Sequence, residues 1–310
     1  MVIIQVAGGL GNQLQQYALY QKFIKLGVQV KLDLSWFKQF EHRPVATSGQ
    51  KATNRKCELD YFYQLPYEIC SEEEKSALIG SDGITGKLRR KIFPHTVHWY
   101  KESRMYDEEL LDFREMYLSG YFACEKYYAD ILPDLQKMIC FPESNNPKNE
   151  EMAEKIQNCN AVSVHIRRGD YLQPENEAMF GNICTDQYYD AASDYIRERI
   201  ENPHFFIFSD DIPYVCKRYT GSDTTIVDIN HGQDSFYDMY LMSLCRANIC
   251  ANSTFSFWGA RLNKNPDKWM IRPTIQKNGQ IFEEKKMKEL WRNWVFIDAM
   301  GTIFNERKII

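Results

Sequence analysis

From residue 161 to residue 273, short apolar runs alternate with stretches of helical periodicity, and this alternation narrows the fold more than any other feature. The segment "AVSVHI" (161–166) reads as a strand, and "TDQYYDAASDYIRERI" (185–200) as a helix with Thr185 at its N-cap. Two further strands are expected at "HFFIFSDD" (204–211) and "TTIVDIN" (224–230), then a helix at "DSFYDMYLMSLCRA" (234–247). A short strand "NICAN" (248–252), a helix beginning in "TFSFWGARLNK" (254–264) and a strand "WMIRP" (269–273) close the series. Strands separated by helices build βαβ units, and those units assemble into parallel sheets. Ligands of such sheets collect at the carboxyl ends of the strands.

The first residues repeat the pattern. A strand "VIIQVA" (2–7) runs through the turn "GGLG" (8–11) into a helix over 12–27 that Gly27 closes, and a second strand follows at 28–34. Residues 35–140 hold short helical and aromatic pieces without a motif. The Pro-, Asn- and charge-rich segment "FPESNNPKNEE" (141–151) reads as a linker, which divides the chain into 1–145 and 146–310. The simplest architecture is therefore α/β: two Rossmann-like halves around a cleft.

Composition excludes several function classes. A net charge of −4 over 310 residues argues against a general nucleic-acid binder, which carries a basic face. Nine cysteines, odd in number and without a C-x-x-C pair, read as reduced thiols of a cytoplasmic protein. The N-terminus lacks a basic leader, and no apolar run is long enough for a membrane span. The basic run "KLRRK" (87–91) is either a solvated loop or a contact with an anionic membrane surface.

Few residues can carry chemistry. "HIRRGD" (165–170) lies where a strand ends, and arginine presents a rigid fork of donors that matches phosphate oxygens. On an extended chain, Arg167 and Arg168 point to opposite sides. One can face a ligand while the other pairs with Asp170 or a nearby carboxylate; a plain surface ion pair is the competing reading. The turn "GGLGNQ", with Gly9 and Asn12, either lets backbone N–H groups approach a phosphate or simply joins strand to helix, with Asn12 and Gln13 as caps. Ser253 and Thr254 in "ANSTFSFWG" (251–259) can cap a helix or line an anion site. Asp210 and Asp211 can accept ribose hydroxyls or cap the next helix. Asp238 lies in an otherwise apolar helix, where aspartate is a poor choice; its carboxylate can accept the paired N1–H and N2–H₂ donors of guanine, or it is merely exposed. His95 and His98 stand apart from other metal-ligating residues. No Asp-x-Asp occurs, so a bound diphosphate is expected to be neutralised by arginine and helix N-termini without a metal.

Together "GGLGNQLQQYA", "HIRRGDY", "FFIFSDD" and "DSFYDMYLMSLCRANICANSTFSFWGA" resemble the α-1,2-fucosyltransferases of glycosyltransferase family 11. The H-x-R-R-x-D pattern also resembles α-1,6- and protein O-fucosyltransferases. One departure is Leu14-Gln15, where the family commonly has Met-Phe. The resemblance implies a GT-B architecture: two Rossmann-like domains face each other across a cleft, the N-terminal one on the acceptor side, and the C-terminal one binds GDP-β-L-fucose. Carried over position by position, it implies Arg167 on the β-phosphate, and His165 and Asp238 on guanosine. Ser253, Thr254 and Phe255 form the diphosphate loop, and Asp210 joins the donor site. Gly9 and Asn12 approach the fucose or β-phosphate from the other domain, and Asp170 orients the arginine pair. The catalytic set is then Arg167, Asp170 and Asn12, with Asp170, Glu175 or no residue as the base. The implied reaction is an inverting transfer of L-fucose to a galactose 2-hydroxyl of an oligosaccharide or lipid-linked glycan. A fucosyltransferase of another linkage, or a GDP-sugar-binding module without catalysis, are the alternatives.

Overall fold

The computed structural model describes residues 1–40, 56–62, 65–80 and 98–304. The chain forms two compact units, Met1–Cys140 and Phe141–Ile310. The division falls just ahead of the expected 145/146 boundary, and each unit is built on a parallel sheet. "KLRRK" and His95 lie outside the described residues. Among the described residues, no helix is long and apolar enough to cross a membrane.

In the first unit, β1 (Val2–Gln5), β2 (Val30–Asp33), β3 (Trp99–Lys101) and β4 (Met116–Ser119) form a sheet in the order β2-β1-β4-β3, every pair parallel. Helix α1 (Leu10–Lys25) returns the chain from β1 to β2, and α2 (Glu72–Ile79) and α3 (Leu132–Met138) follow in sequence. The start of α1 departs from expectation. It begins at Leu10 with Gly9 as N-cap, so neither Asn12 nor Gln13 caps it. Gln13, Gln15 and Gln16 are fully buried, and their amides bond to loop backbone. Gln16 accepts from Ala7 N and donates to Gly120 O, Gln15 donates to Tyr121 O, and Gln13 donates to Gly8 O and accepts from Glu58 N. A buried polar side chain must find such partners, so the polar residue at position 15 ties the helix to the turn after β4.

In the second unit, α4 (Pro147–Gln157) precedes β5 (Asn160–Ile166). The linker expected at 141–151 is therefore too long: Asn146 caps α4 by accepting from Lys148 N, and Pro147 occupies the first helical position. Both are helix-start signals that the loop-like composition obscures. After β5 come α5 (Pro174–Phe180), α6 (Asp186–Arg197), β6 (Pro203–Ser209), α7 (Ile212–Arg218), β7 (Thr224–Val227) and α8 (Phe236–Ser243). Then follow β8 (Ala247–Ile249), α9 (Thr254–Leu262) and β9 (Trp269–Pro273). Thr185 caps α6 as expected. The series does not close at residue 273: α10 (Glu284–Leu290), a parallel β10 (Trp294–Ile297) and an antiparallel β11 (Ile303–Phe304) extend the sheet. The order is β11-β10-β9-β8-β5-β6-β7. From β5 the chain moves outward to β6 and β7, then crosses back to β8 and leaves in the other direction. The switch point, where a crevice opens at the carboxyl ends, thus lies between β5 and β8. Val162, Val164 and Ile166 of β5 are buried against α6, as a two-sided parallel strand requires.

The first unit also buries a charge. Asp33, at the end of β2, accepts from Tyr117 Oη at 2.7 Å and from Ser35, and Lys75 lies 3.4 Å away with both charged side chains nearly inaccessible. Burial raises the carboxyl, but the bonds from Tyr117 and Ser35 and the charge of Lys75 outweigh it, so Asp33 titrates below its usual range. A depressed carboxyl stabilises the fold above its unfolded value, about 3.9, and loses that contribution as pH falls through the folded value. Asp33→Ala should cost about 3–5 kcal/mol at pH 7, because it removes the carboxylate that faces the buried Lys75 ammonium. Urea unfolding should show the gap from wild type narrowing below about pH 4; equal midpoints at pH 7 would mean the pair contributes nothing.

Candidate active site

The loops after β5, β6 and β8 bring most of the second unit's candidates together. Arg167 is clamped between two carboxylates, with Nη2 2.9 Å from Asp170 Oδ1 and Nη1 3.0 Å from Asp210 Oδ2. Its neighbour points the other way, as an extended chain demands: Arg168 Nε donates to Asp211 Oδ2 at 3.0 Å, and its guanidinium lies 3.8 Å over the Tyr214 ring. Asp170 therefore orients Arg167 alone, and the expectation that it orients both arginines is corrected. Asp211 also caps α7 by accepting from Tyr214 N, so of the two readings for that residue the cap holds. Asp210 gives its other oxygen to the backbone N–H groups of Arg168 and Gly169. That fixes the loop and leaves Asp210 a holder of Arg167 rather than a free acceptor for ribose. Gly169 is required by close approach, since a Cβ there would meet Asp210 Oδ2 at 2.8 Å. Burial alone would ease the proton off Arg167, but the carboxylates of Asp210 and Asp170 hold it on more firmly than usual.

His165, the penultimate residue of β5, is buried, and its ring lies 5.8 Å from that of Phe255. Burial first, then the charge of Arg167, pulls its pKa down to about 4 against the opposing pull of Asp210. The imidazole is thus neutral at neutral pH, and among the described residues its Nδ1 has no hydrogen-bond partner. The loop after β8 is latched by Asn252, whose amide donates to Phe180 O and Gln276 O. Tyr171 ties the two loops, donating to Asn252 O at 3.2 Å while stacking on Phe180. Ser253 sits at the N-cap of α9 in extended conformation, yet among the described residues no side chain caps the helix. The expected cap by Ser253 or Thr254 is absent, so the first N–H groups of α9 stay open to an anion.

Asp238 is in the first turn of α8 and half-buried. Asn230 donates to its Oδ1 at 2.8 Å, and Asn230 is itself held by reciprocal 2.8 Å amide bonds with Asn149. Burial, reinforced by the charge of Asp228, raises the Asp238 carboxyl to about 7, with the Asn230 bond opposing. Glu175 is exposed at the start of α5. Gly9 and Asn12 belong to the first unit, at the turn from β1 into α1. The His98 side chain lies at the surface, 3.6 Å from Glu115. Among the described residues, no group of His, Cys, Asp and Glu is arranged to hold a metal ion. Sequence reasoning missed Tyr171, Asn149, Asn230 and Asn252. Tyr171 is the last residue of the motif "HIRRGDY"; the Asn149–Asn230 pair spans 81 positions and gives no local signal.

An arginine clamped by carboxylates beside an uncapped helix, at the switch point of a parallel sheet, is an arrangement for holding a phosphorylated ligand. The model of glycosyltransferase family 11 matches residues 98–298. The chain is 32% identical to an α-1,2-colitosyltransferase of Escherichia coli, over 86% of this chain and 89% of that protein. It is 29% identical to galactoside α-(1,2)-fucosyltransferase 1 of Ateles belzebuth, over 44% of this chain and 38% of that one. A fucosyltransferase NodZ structure from Bradyrhizobium superposes with TM-score 0.48 and 13% identity, over 84% of this chain and 91% of the other. The chain belongs to glycosyltransferase family 11, and it is a glycosyltransferase.

Arg167→Lys should be nearly as damaging to transfer as Arg167→Ala. Lysine keeps the charge but cannot reach two carboxylates and a ligand from one rigid plane. Losing one member of such a charged set costs about 2–5 kcal/mol, or roughly 30- to several-thousand-fold in rate. Turnover of Arg167→Lys close to wild type would remove this arginine from the site.

Proposed function

We propose that the chain transfers L-fucose from GDP-β-L-fucose to the 2-hydroxyl of a galactose in a glycan, with inversion and without a metal. The observation that carries the donor site is the position of Arg167, fixed by Asp170 and Asp210 at the switch point beside the open N-terminus of α9. In the reaction the acceptor oxygen bonds to C1 of fucose, and the bond from C1 to the β-phosphate oxygen breaks with its electrons going to GDP. Arg167 and the α9 N–H groups around Ser253, Thr254 and Phe255 would stabilise that charge. Asn12 and the acceptor are assigned to the first unit. Attack opposite the leaving group turns a β-linked donor into an α-linked product. Asp170 already has an oxygen on Arg167 and Glu175 is exposed, so we assign neither as base: with an oxocarbenium-like transition state, the hydroxyl proton leaves late and passes to solvent water. The α-1,2 linkage is favoured by two relatives whose names carry it. The colitosyltransferase relative favours a second reading, in which the sugar is colitose instead of fucose; offering both nucleotide sugars to one galactoside, with linkage analysis of the product, decides between them.

If phosphate charge is met by Arg167 and N–H groups alone, exhaustive EDTA treatment should leave transfer largely intact. Complete loss restored by Mn²⁺ or Mg²⁺ would refute the metal-free route.

Asp238 is proposed to accept guanine N1–H and N2–H₂, which requires the ionised carboxylate. Its pKa of about 7 in the free protein therefore makes guanine recognition fade as pH falls below about 7. IDP lacks the 2-amino group but carries the same phosphates, so phosphate titration cancels in the GDP-to-IDP ratio. Wild type should prefer GDP by about 1–3 kcal/mol at pH 8 and much less at pH 6, and Asp238→Asn should show little preference at either. Because the raised carboxyl contributes stability that is lost as pH rises to about 7, Asp238→Asn should be at least as stable as wild type above that pH. Full GDP preference in the variant would put the guanine site elsewhere.

A further inference from the structure

The first unit holds an arrangement that the donor site does not use. Tyr121 follows the carboxyl end of β4 and is 49% exposed, unusual for a large ring in an otherwise well-packed unit. The turn that carries it is over-determined. Glu102 Oε2 accepts from Tyr121 N at 2.7 Å and from Phe122 N at 3.1 Å, Gln16 donates to Gly120 O, and Gln15 donates to Tyr121 O. Phe122, fully buried, is held at φ +50°, a region that bulky residues avoid. Gly120 leaves room for Glu102, whose Oε2 would lie 2.8 Å from an added Cβ. The Tyr121 ring is directed at the turn after β1. A Cβ on Gly8 (φ +84°) would meet Tyr121 Cε1 at 3.2 Å and Asn12 Nδ2 at 2.6 Å. Among the described residues, no hydrogen bond occupies the Asn12 amide. Strain held by several bonds, with an exposed ring as its outcome, marks a position set for a ligand rather than for packing.

We infer that the Tyr121 ring is the platform for the acceptor sugar. A pyranose has an apolar C–H face and a hydroxyl edge. A site that fits it offers an aromatic plane for the first and a few fixed polar groups for the second. Tyr121 supplies the plane and the Asn12 amide the nearest polar group. The inference rests on the reading above in one respect: the sugar held on Tyr121 is taken to be the acceptor of the proposed transfer. The ring stands off the carboxyl ends of β1 and β4, where a parallel sheet presents its ligands. Recognition through a C–H face selects a monosaccharide surface rather than a charge, so the ligand class is a neutral hexoside such as a β-galactoside.

The experiment compares wild type, Tyr121→Ala and Tyr121→Phe with lactose and methyl β-galactoside as acceptors. Truncating one aromatic anchor of a binding site should raise the acceptor KM about tenfold in Tyr121→Ala. The donor KM and GDP affinity should stay within about twofold, since only acceptor binding is altered. Tyr121→Phe keeps the ring and should keep the acceptor KM. An unchanged acceptor KM in Tyr121→Ala, an equal rise in donor KM, or a phenylalanine variant as impaired as the alanine one would each overturn the inference. Galactoside binding followed by ligand-observed NMR separates this from the proposed reaction, because it needs no turnover. A wild type that transfers nothing but binds lactose, with binding lost in Tyr121→Ala, would sink the transfer reading and sustain the platform. Lactose binding by Tyr121→Ala equal to wild type would sink the platform whatever the enzyme does.

Discussion

The site depends on a positive charge held in place by two negative ones. Arg167 with Asp170 and Asp210 carries a local charge of one minus, and Arg168 with Asp211 cancels. By Coulomb's law alone this cluster would repel a diphosphate. What it provides is orientation. A guanidinium has five N–H donors in one plane, and the two carboxylates fix that plane, leaving the other donors directed from the loop. A free arginine would lose side-chain entropy on meeting phosphate, at a cost of up to about 2 kcal/mol; here the protein has already met that cost. The open N–H groups of α9 would then add attraction for an anion.

The sheet explains why these groups meet. Asp210 follows β6, Arg167 follows β5 and Ser253 follows β8, three adjacent parallel strands ending on one side. In a parallel sheet every carboxyl end is followed by a loop into a helix, so one edge gathers loops and helix N-termini together. The order of the strands places β5 between β6 and β8, and that is the only condition needed to put "RRGD", "SDD" and "NSTF" side by side. Tyr171 and Asn252 then make two of those loops one unit.

The sequence made the strands and most helices of the second half legible, because apolar runs of the right length alternate with helical ones. It misled where composition and capping disagree: the Pro- and Asn-rich segment at 141–151 reads as a linker, while Asn146 and Pro147 start a helix. It also stopped short, since α10, β10 and β11 follow a stretch without clear alternation. At the site, motif residues could be named in advance, but their partners could not. That Asp170 serves Arg167 and not Arg168 follows from which side of an extended chain each arginine faces. That Asp238 is held by Asn230 and Asn149 depends on a contact between distant segments, and no periodicity encodes it. Position 15 is the opposite case. A glutamine among apolar neighbours looks like a packing detail in sequence, yet its bond to Tyr121 O makes it part of the turn after β4.

The two carboxylates on Arg167 are not equivalent, and the difference bears on how an anion enters. Asp210 is anchored by two backbone N–H groups besides the arginine, and its side chain is 26% exposed. Asp170 is 43% exposed, with the arginine as its ion-pair partner. Displacing Asp210 would break its arginine contact and also two hydrogen bonds from loop N–H groups, each worth about 0.5–1.5 kcal/mol net. Releasing Asp170 exposes a carboxylate to water, at a cost near that of a surface ion pair, about 0–1 kcal/mol. On the proposed reading, an incoming phosphate would compete with Asp170 sooner than with Asp210, and the arginine would keep one fixed anchor while its second Nη turned to the ligand.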